Sequence, residues 1–344
     1  MLRRLLERVL EGEIRSTLLT GEGYDVLFYS SARSAIHSYF RGRRPSSRTT
    51  KVLIPDYICN TVPLAIRASG PVEISTYPLD RELVPLEIEL IRIIQKLEPD
   101  VLVIAPIFGA HGEAYDRVIR RVMALPRRPI VVLDAAQAMR PLPARMDAVV
   151  LSFGGKDVNG FHGGALLLDH AVEGVKPQRH ELGFRMEYLY ALYYFLGKWR
   201  PFQQPKAMDI ADRGFMYADC DHLLGEVSED IMSLASLSVA ILEMVKLGRY
   251  RGWRRDNFLV IEGLLSSLPG VRIVRTENVS SSSHVPVEVE DHEALVRLAG
   301  LLDQNGLVLG RPYALDEDPS VSNRPYTYLV RNPFHPIRRG KFRG

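Results

Sequence analysis

Cysteine is nearly missing from this chain: Cys59 and Cys220 are the only two in 344 residues. Two thiols make neither a disulfide framework nor a metal-ligand cluster, so the expected compartment is a reducing cytoplasm. No apolar run approaches the roughly 20 residues that a membrane span requires, so no membrane partner is expected. The opening MLRRLLERVLEGEI does not read as a signal peptide, because Arg and Glu interrupt its apolar residues throughout. A formal net charge of +3 is too small to argue for nucleic acid. The basic residues are dispersed except in the tail Arg338-Arg339-Gly340-Lys341-Phe342-Arg343, which reads as a solvated terminus. Lysine is scarce as well, with eight residues against abundant arginine. No internal repeat or low-complexity segment is visible.

What remains is the composition of an ordinary globular protein, 46% hydrophobic and 25% charged. Its length suffices for a large core and two lobes. Leu2, Leu5, Leu6, Val9 and Leu10 recur at helical spacing and predict an amphipathic N-terminal helix, packed on the body or on a partner subunit. From Val26 to Leu168, short Val/Ile/Leu-rich runs alternate with helical patterns, which predicts a mainly parallel sheet covered by helices. Residues 231–265 read as one long helix with Arg249, Arg251, Arg254 and Arg255 on an exposed face. The runs at Gly270–Val274, His284–Val289 and Leu307–Leu309, with a helix from His292 to Asn305, make a smaller α+β lobe. Met186–Leu196 reads as a buried helix or dimer contact, and Trp199–Asp212, rich in Pro and Gln, as a connection.

The stretch Ile130–Asp169 carries the chemistry. Two of its apolar runs, Ile130–Leu133 and Ala148–Leu151, end on polar residues: Asp134 with Gln137, and Ser152 with Lys156. Open α/β sheets place ligands at the carboxyl ends of such strands. An amine, a carboxylate and hydroxyl or amide donors are what pyridoxal 5'-phosphate (PLP) needs: Lys156 as the Schiff-base lysine, Asp134 beside the pyridine nitrogen, Ser152 at the phosphate and Gln137 at the ring oxygen. Ala136 is small enough to let a flat ring lie against the chain. The glycine pairs at 154–155 and 163–164 permit tight turns around the lysine. Taken singly, Asp134 also reads as a helix N-cap and Lys156 as a solvated loop residue.

Asp134-Ala-Ala-Gln137, then Ser152-Phe-Gly-Gly-Lys156, then Gly160-Phe-His-Gly-Gly164 resembles the DegT/DnrJ/StrS-type sugar aminotransferases, fold type I PLP enzymes related to aspartate aminotransferase. The resemblance implies a three-layer α/β/α large domain with a mainly parallel seven-stranded sheet (residues 1–230), a smaller C-terminal α+β domain (231–344), and a homodimer with sites at the interface. It also implies transamination from an amino acid, usually glutamate, to a keto-sugar linked to a nucleotide, with Lys156 and Asp134 catalytic. The family's phosphate site, usually on a Gly-Thr pair, falls on Ala32-Arg33, with Ser34 close by. The turn start at Ser30-Ser31-Ala32-Arg33 suits an anion because the first amides of a helix lack partners. The same residues also read as an ordinary Ser-capped helix. The residue stacking on the ring falls on Cys59, with Tyr57 two positions earlier; either covers the ring. Arg33 is a candidate for a sugar diphosphate, and His111 for substrate. The family's asparagine offered to the neighbouring subunit's phosphate has no counterpart here. Two alternatives stand beside transamination. One is sugar dehydration or another elimination, although the dehydratase relatives carry His in place of the lysine; the other is a PLP-fold protein without catalysis that acts as a binding or regulatory module.

Overall fold

The computed structural model of the chain describes residues 1–18, 23–43, 48–109, 112–154, 163–169, 175, 231–276, 283–307, 309–310, 326–331, 333 and 337. Lys156, His111, Cys220, the 186–196 stretch and the 199–212 connection lie outside them.

Seven strands form the principal sheet: β1 (Tyr24–Tyr29), β2 (Thr50–Pro55), β3 (Val72–Tyr77), β4 (Val101–Ile104), β5 (Ile130–Asp134), β6 (Ala148–Ser152) and β7 (Gly164–Asp169). Their order is β1-β7-β6-β5-β4-β2-β3. From β6 to β3 every neighbouring pair is parallel, whereas β7 runs antiparallel to both β6 and β1. All residues of β4 and β6 are buried. Strands covered on both faces read as continuous apolar runs for this reason, which is why Val101–Ile104 and Ala148–Leu151 were legible. Helices α2 (Ala32–Gly42), α3 (Thr61–Ala68), α4 (Glu87–Leu97) and α5 (Glu113–Met123) alternate with the strands.

The N-terminal helix α1 (Leu2–Leu18) forms as expected, but its buried stripe is not the expected one. Leu10, Ile14 and Leu18 are buried, with Leu6 partly so. Leu2, Leu5 and Val9 remain 59%, 57% and 42% exposed. The fourfold spacing from Leu6 to Leu18 keeps one side of the helix against its neighbour α6 (Leu234–Met244), and Arg3 donates to the Met232 carbonyl at 2.9 Å.

The single helix expected over 231–265 is two, α6 and α7 (Leu247–Leu265). Between them Lys246 N–H bonds to Glu243 O at 3.1 Å, a tighter span than the α-helical one. The Glu243 carboxylate is 1% exposed and is satisfied there by Lys246 Nζ at 2.8 Å and by the Tyr250 hydroxyl. The exposed arginine face also needs correction, since Arg254 is completely buried. Asn257, one turn further on, is buried too, donating to Pro333 O at 3.1 Å and accepting from Ile337 N–H at 2.8 Å. Residues three apart share a helix face, and both Arg254 and Asn257 on this one are buried.

The smaller lobe is a four-stranded antiparallel sheet, β10-β11-β9-β8, made of β8 (Val271–Ile273), β9 (His284–Val289), β10 (Leu309–Gly310) and β11 (Tyr326–Arg331). Phe258, Ile261 and Leu265 of α7 pack with Leu295, Leu298 and Leu302 of α8 (His292–Gln304) on Val285, Val287 and Val289 to form its own core.

Candidate functional site

The strand directions bring one set of ends together. β6, β5, β4 and β2 finish on the same edge of the sheet; so does β1, because the antiparallel β7 lies between β1 and β6. Ser31, Gly164, Ser152 and Asp134 therefore follow one another along that edge, neighbouring strands being about 4.8 Å apart.

At the β1 end, Ser31 caps α2: its Oγ accepts from Ser34 N–H at 3.0 Å, and Ser34 Oγ lies 2.8 Å from Ser31 Oγ and 3.1 Å from Ser30 Oγ. The Ser-capped helix expected from the sequence is thus present, and its start lies on this edge. No acid stands in the first turn of α2, which carries Arg33 instead. The positive end of a helix with an arginine and no carboxylate favours an anion. Gly164 brings the strand against this turn. A Cβ at Gly164 would lie 2.4 Å from Ala32 N and 2.6 Å from the Ser31 carbonyl carbon, so only glycine permits the approach. Gly164 also pairs with Ser152, whose hydroxyl accepts from Gly154 N–H at 3.3 Å. Ser30 and Ser31 were legible as a turn; their joint hydroxyl cluster with Ser34 needed the helix register to be seen.

Asp134 ends β5 but caps no helix: residues 135–147 are a turn at 136–137 and irregular chain up to β6. Its Oδ1 accepts from Ala136 N–H at 3.1 Å. With Ala136, Gln137, Ile58, Cys59 and the exit of β4 (Ala105–Ile107), it lines a small open cleft. Cys59 stands in this wall, its Sγ 3.1 Å from Thr61 Oγ1. Tyr57 stands off it, its ring edge-on to Phe108 at 6.0 Å. Gln137 is 7% exposed and its Oε1 accepts from Phe108 N–H at 2.6 Å, so its carbonyl is engaged with the protein rather than with the cleft. Beneath the cleft two buried tyrosines brace β4 and its exit. Tyr77 donates to Val103 O at 3.1 Å and Tyr115 to Ala105 O at 2.5 Å. Burial pushes both phenols well above their ordinary pKa and keeps them neutral.

The structure thus brings together Ala32, Arg33, Ser34 and Ser152 at one place on the edge, and Asp134, Ala136, Gln137 and Cys59 at the neighbouring one. The walls Ile58 and Ala105–Ile107 carried no signal in the sequence, being apolar residues just past strand ends.

No family model matches the chain, and no curated protein matches it. Solved structures do. DesI, crystallised in the presence of its TDP-sugar product, is 17% identical with a TM-score of 0.61, covering 96% of this chain and 80% of its own. The aminotransferase TlmJ from Streptoalloteichus hindustanus is 18% identical with a TM-score of 0.61, covering 95% and 85%. GDP-4-keto-6-deoxy-D-mannose-3-dehydratase from E. coli, with bound hydrated PLP, is 12% identical with a TM-score of 0.61, covering 97% and 93%. The fold, with its large and mostly parallel seven-stranded sheet, is therefore the one that these structures share, fold type I of the PLP-dependent enzymes.

Proposed function

We propose that this chain is a PLP-dependent aminotransferase that moves an amino group from an amino acid, glutamate, to a keto-sugar linked to a nucleotide, as a cytoplasmic homodimer. The observation that carries the reading is the adjacency on one sheet edge of a carboxylate-lined cleft and a serine-rich, acid-free helix start. PLP suits both ends: a phosphate answers the α2 turn with Ser152, and a protonated ring nitrogen answers Asp134. The exposed stripe of Leu2, Leu5 and Val9 on α1 supports the dimer by offering apolar surface for a second copy to cover.

Bound there, the cofactor supplies an electron sink for the carbon beside the substrate nitrogen. Lys156 would hold the cofactor, and its amine would serve as the general base and then acid for the proton at the substrate carbon. Asp134 keeps the ring nitrogen charged, and its own carboxylate is oriented by the Ala136 N–H. The backbone at Ala32 and Arg33, Ser34 and the Ser152 hydroxyl anchor the phosphate; Cys59 and Ala136 border the ring. Dehydration is the second reading, favoured by the likeness to the E. coli dehydratase, and Lys156 speaks for transamination. The visible spectrum of the purified, PLP-supplied protein tests the reading. A band near about 420 nm that moves toward about 330 nm on adding glutamate is expected, and must vanish in Lys156→Ala. Failure to show any band with PLP present would overturn the proposal.

A further inference from the structure

The two ends of the Gln137 amide are chemically unlike, and the fold decides which end faces which way. Phe108 N–H can only donate, so the atom 2.6 Å from it must be the Gln137 carbonyl oxygen, and the NH₂ end is turned away from Phe108. Phe108 is not a relaxed residue. At φ 54° and ψ 24° it sits in the left-handed region, which costs a residue with a side chain about 1–2 kcal/mol. Beyond the Gln137 bond, its ring holds it there, fully buried, edge-on to Tyr57 at 6.0 Å and 6.5 Å from the ring of His284. His284 opens β9, so this contact joins the turn after β4 to the smaller lobe.

We propose that Gln137 is a positioning residue that ties the cleft to the smaller lobe. Its carbonyl holds the Phe108 turn in its left-handed shape, and the Phe108 ring sets where His284 and β9 sit. A ligand that draws on the Gln137 amide in the cleft thereby also acts on the lobe that faces it. The role in catalysis rests on the reading of the cleft as a cofactor site; the link itself is a property of the cofactor-free protein.

Three variants separate the parts. Gln137→Glu keeps an acceptor toward Phe108 and loses the donor, Gln137→Met keeps the length and loses both, and Phe108→Gly takes the left-handed turn without strain but removes the ring. In the cofactor-free protein, NMR follows the exchange of the amide at position 108 and the ring-proton shift of His284. Gln137→Met is expected to speed that exchange about tenfold, as loss of one hydrogen bond should, and to move the His284 resonance. Gln137→Glu should leave both near wild type, and Phe108→Gly should move the His284 resonance together with that of Tyr57, the other ring against it. A PLP titration then reads the donor end: Gln137→Glu should bind PLP more weakly in spite of an intact turn. An unmoved His284 resonance in both Gln137→Met and Phe108→Gly would refute the link. If wild type itself binds no PLP, the functional reading falls, and the His284 resonance still decides the link.

Discussion

Gly164→Ala is the sharpest perturbation the site offers. The added methyl would meet Ala32 N at 2.4 Å, the Ser31 carbonyl carbon at 2.6 Å and Ala32 Cα at 2.7 Å. All three are backbone atoms at the start of α2, with no flexible side chain to swing aside. Gly164 is also clamped from both sides, paired with Tyr29 on β1 and with Ser152 on β6, so the strand cannot retreat without breaking the sheet. Overpacking of this kind costs about 1–3 kcal/mol, and a clash with three backbone atoms belongs at the top of that range. The cheapest escape pushes the α2 turn outward, and that turn is where the phosphate is proposed to bind. Losing one hydrogen bond to a charged group costs about 1.5–3 kcal/mol, or roughly 10–150-fold in PLP affinity. Gly154→Ala is the matched control. Among the described residues its Cβ would find only Ser152 Oγ, at an ordinary 3.6 Å, and stability should change by less than about 0.5 kcal/mol. Urea unfolding of the cofactor-free proteins gives the first quantity and PLP titration the second. A Gly164→Ala protein as stable as Gly154→Ala, with unchanged PLP affinity, would show that the close approach of β7 to α2 is not what builds the anion site.

Other consequences follow from the same geometry. Ser31→Ala removes the cap of α2 and should cost about 1 kcal/mol in urea unfolding, with weaker PLP binding in parallel. Asp134→Asn keeps an acceptor for the Ala136 N–H and loses the charge, so turnover should fall about 10²–10³-fold while the fold and the cofactor are retained. Tyr24, Tyr39, Tyr77 and Tyr115 all have phenols raised above the ordinary 10.0 by burial. Above pH 10 the unfolded chain releases these protons and the native state does not. Stability is therefore intact below pH 10 and falls by about 1.4 kcal/mol per pH unit for each such tyrosine as the pH rises toward the folded-state values. Urea midpoints measured from pH 8 to 11 should stay level and then drop, and Tyr77→Phe should shallow the drop.

Much of this arrangement was legible because it depends on patterns that sequence carries directly. Ile130–Leu133 and Ala148–Leu151 are apolar without alternation because both faces of β5 and β6 are covered, and a polar residue at the end of such a strand must lie at the sheet edge. The parallel order then places the ends of β5 and β6 on one edge, Asp134 level with Val150 and Ser152 two residues further along. Arg254 shows where pattern fails. Four arginines close together on a helix look solvated, yet Arg254 is completely buried, and Asn257 one turn on bonds at both ends to residues some 80 positions away. The stripe of α1 failed similarly. Apolar residues at 2, 5, 6, 9 and 10 make a helix wide enough for two apolar faces, and only the position of α6 selects the one containing Leu6 and Leu10.

Phe108 marks the deeper limit. In Pro106-Ile107-Phe108-Gly109, the glycine advertises a turn and does adopt a positive φ of 76°. Nothing in the sequence says that the residue before it shares that conformation, since an aromatic is among the last choices for the left-handed region. The conformation exists because three partners from distant parts of the chain agree on it: the Gln137 carbonyl, the Tyr57 ring and the His284 ring. Strain of this kind persists only where surrounding structure over-determines it. Gln137 belongs both to this set and to the wall of the cleft, so the cost of the turn is borne at the point where the proposed cofactor site meets the smaller lobe. A residue chosen for ligand contact alone would need no such second bond, and one chosen for the turn alone would need no place in the cleft.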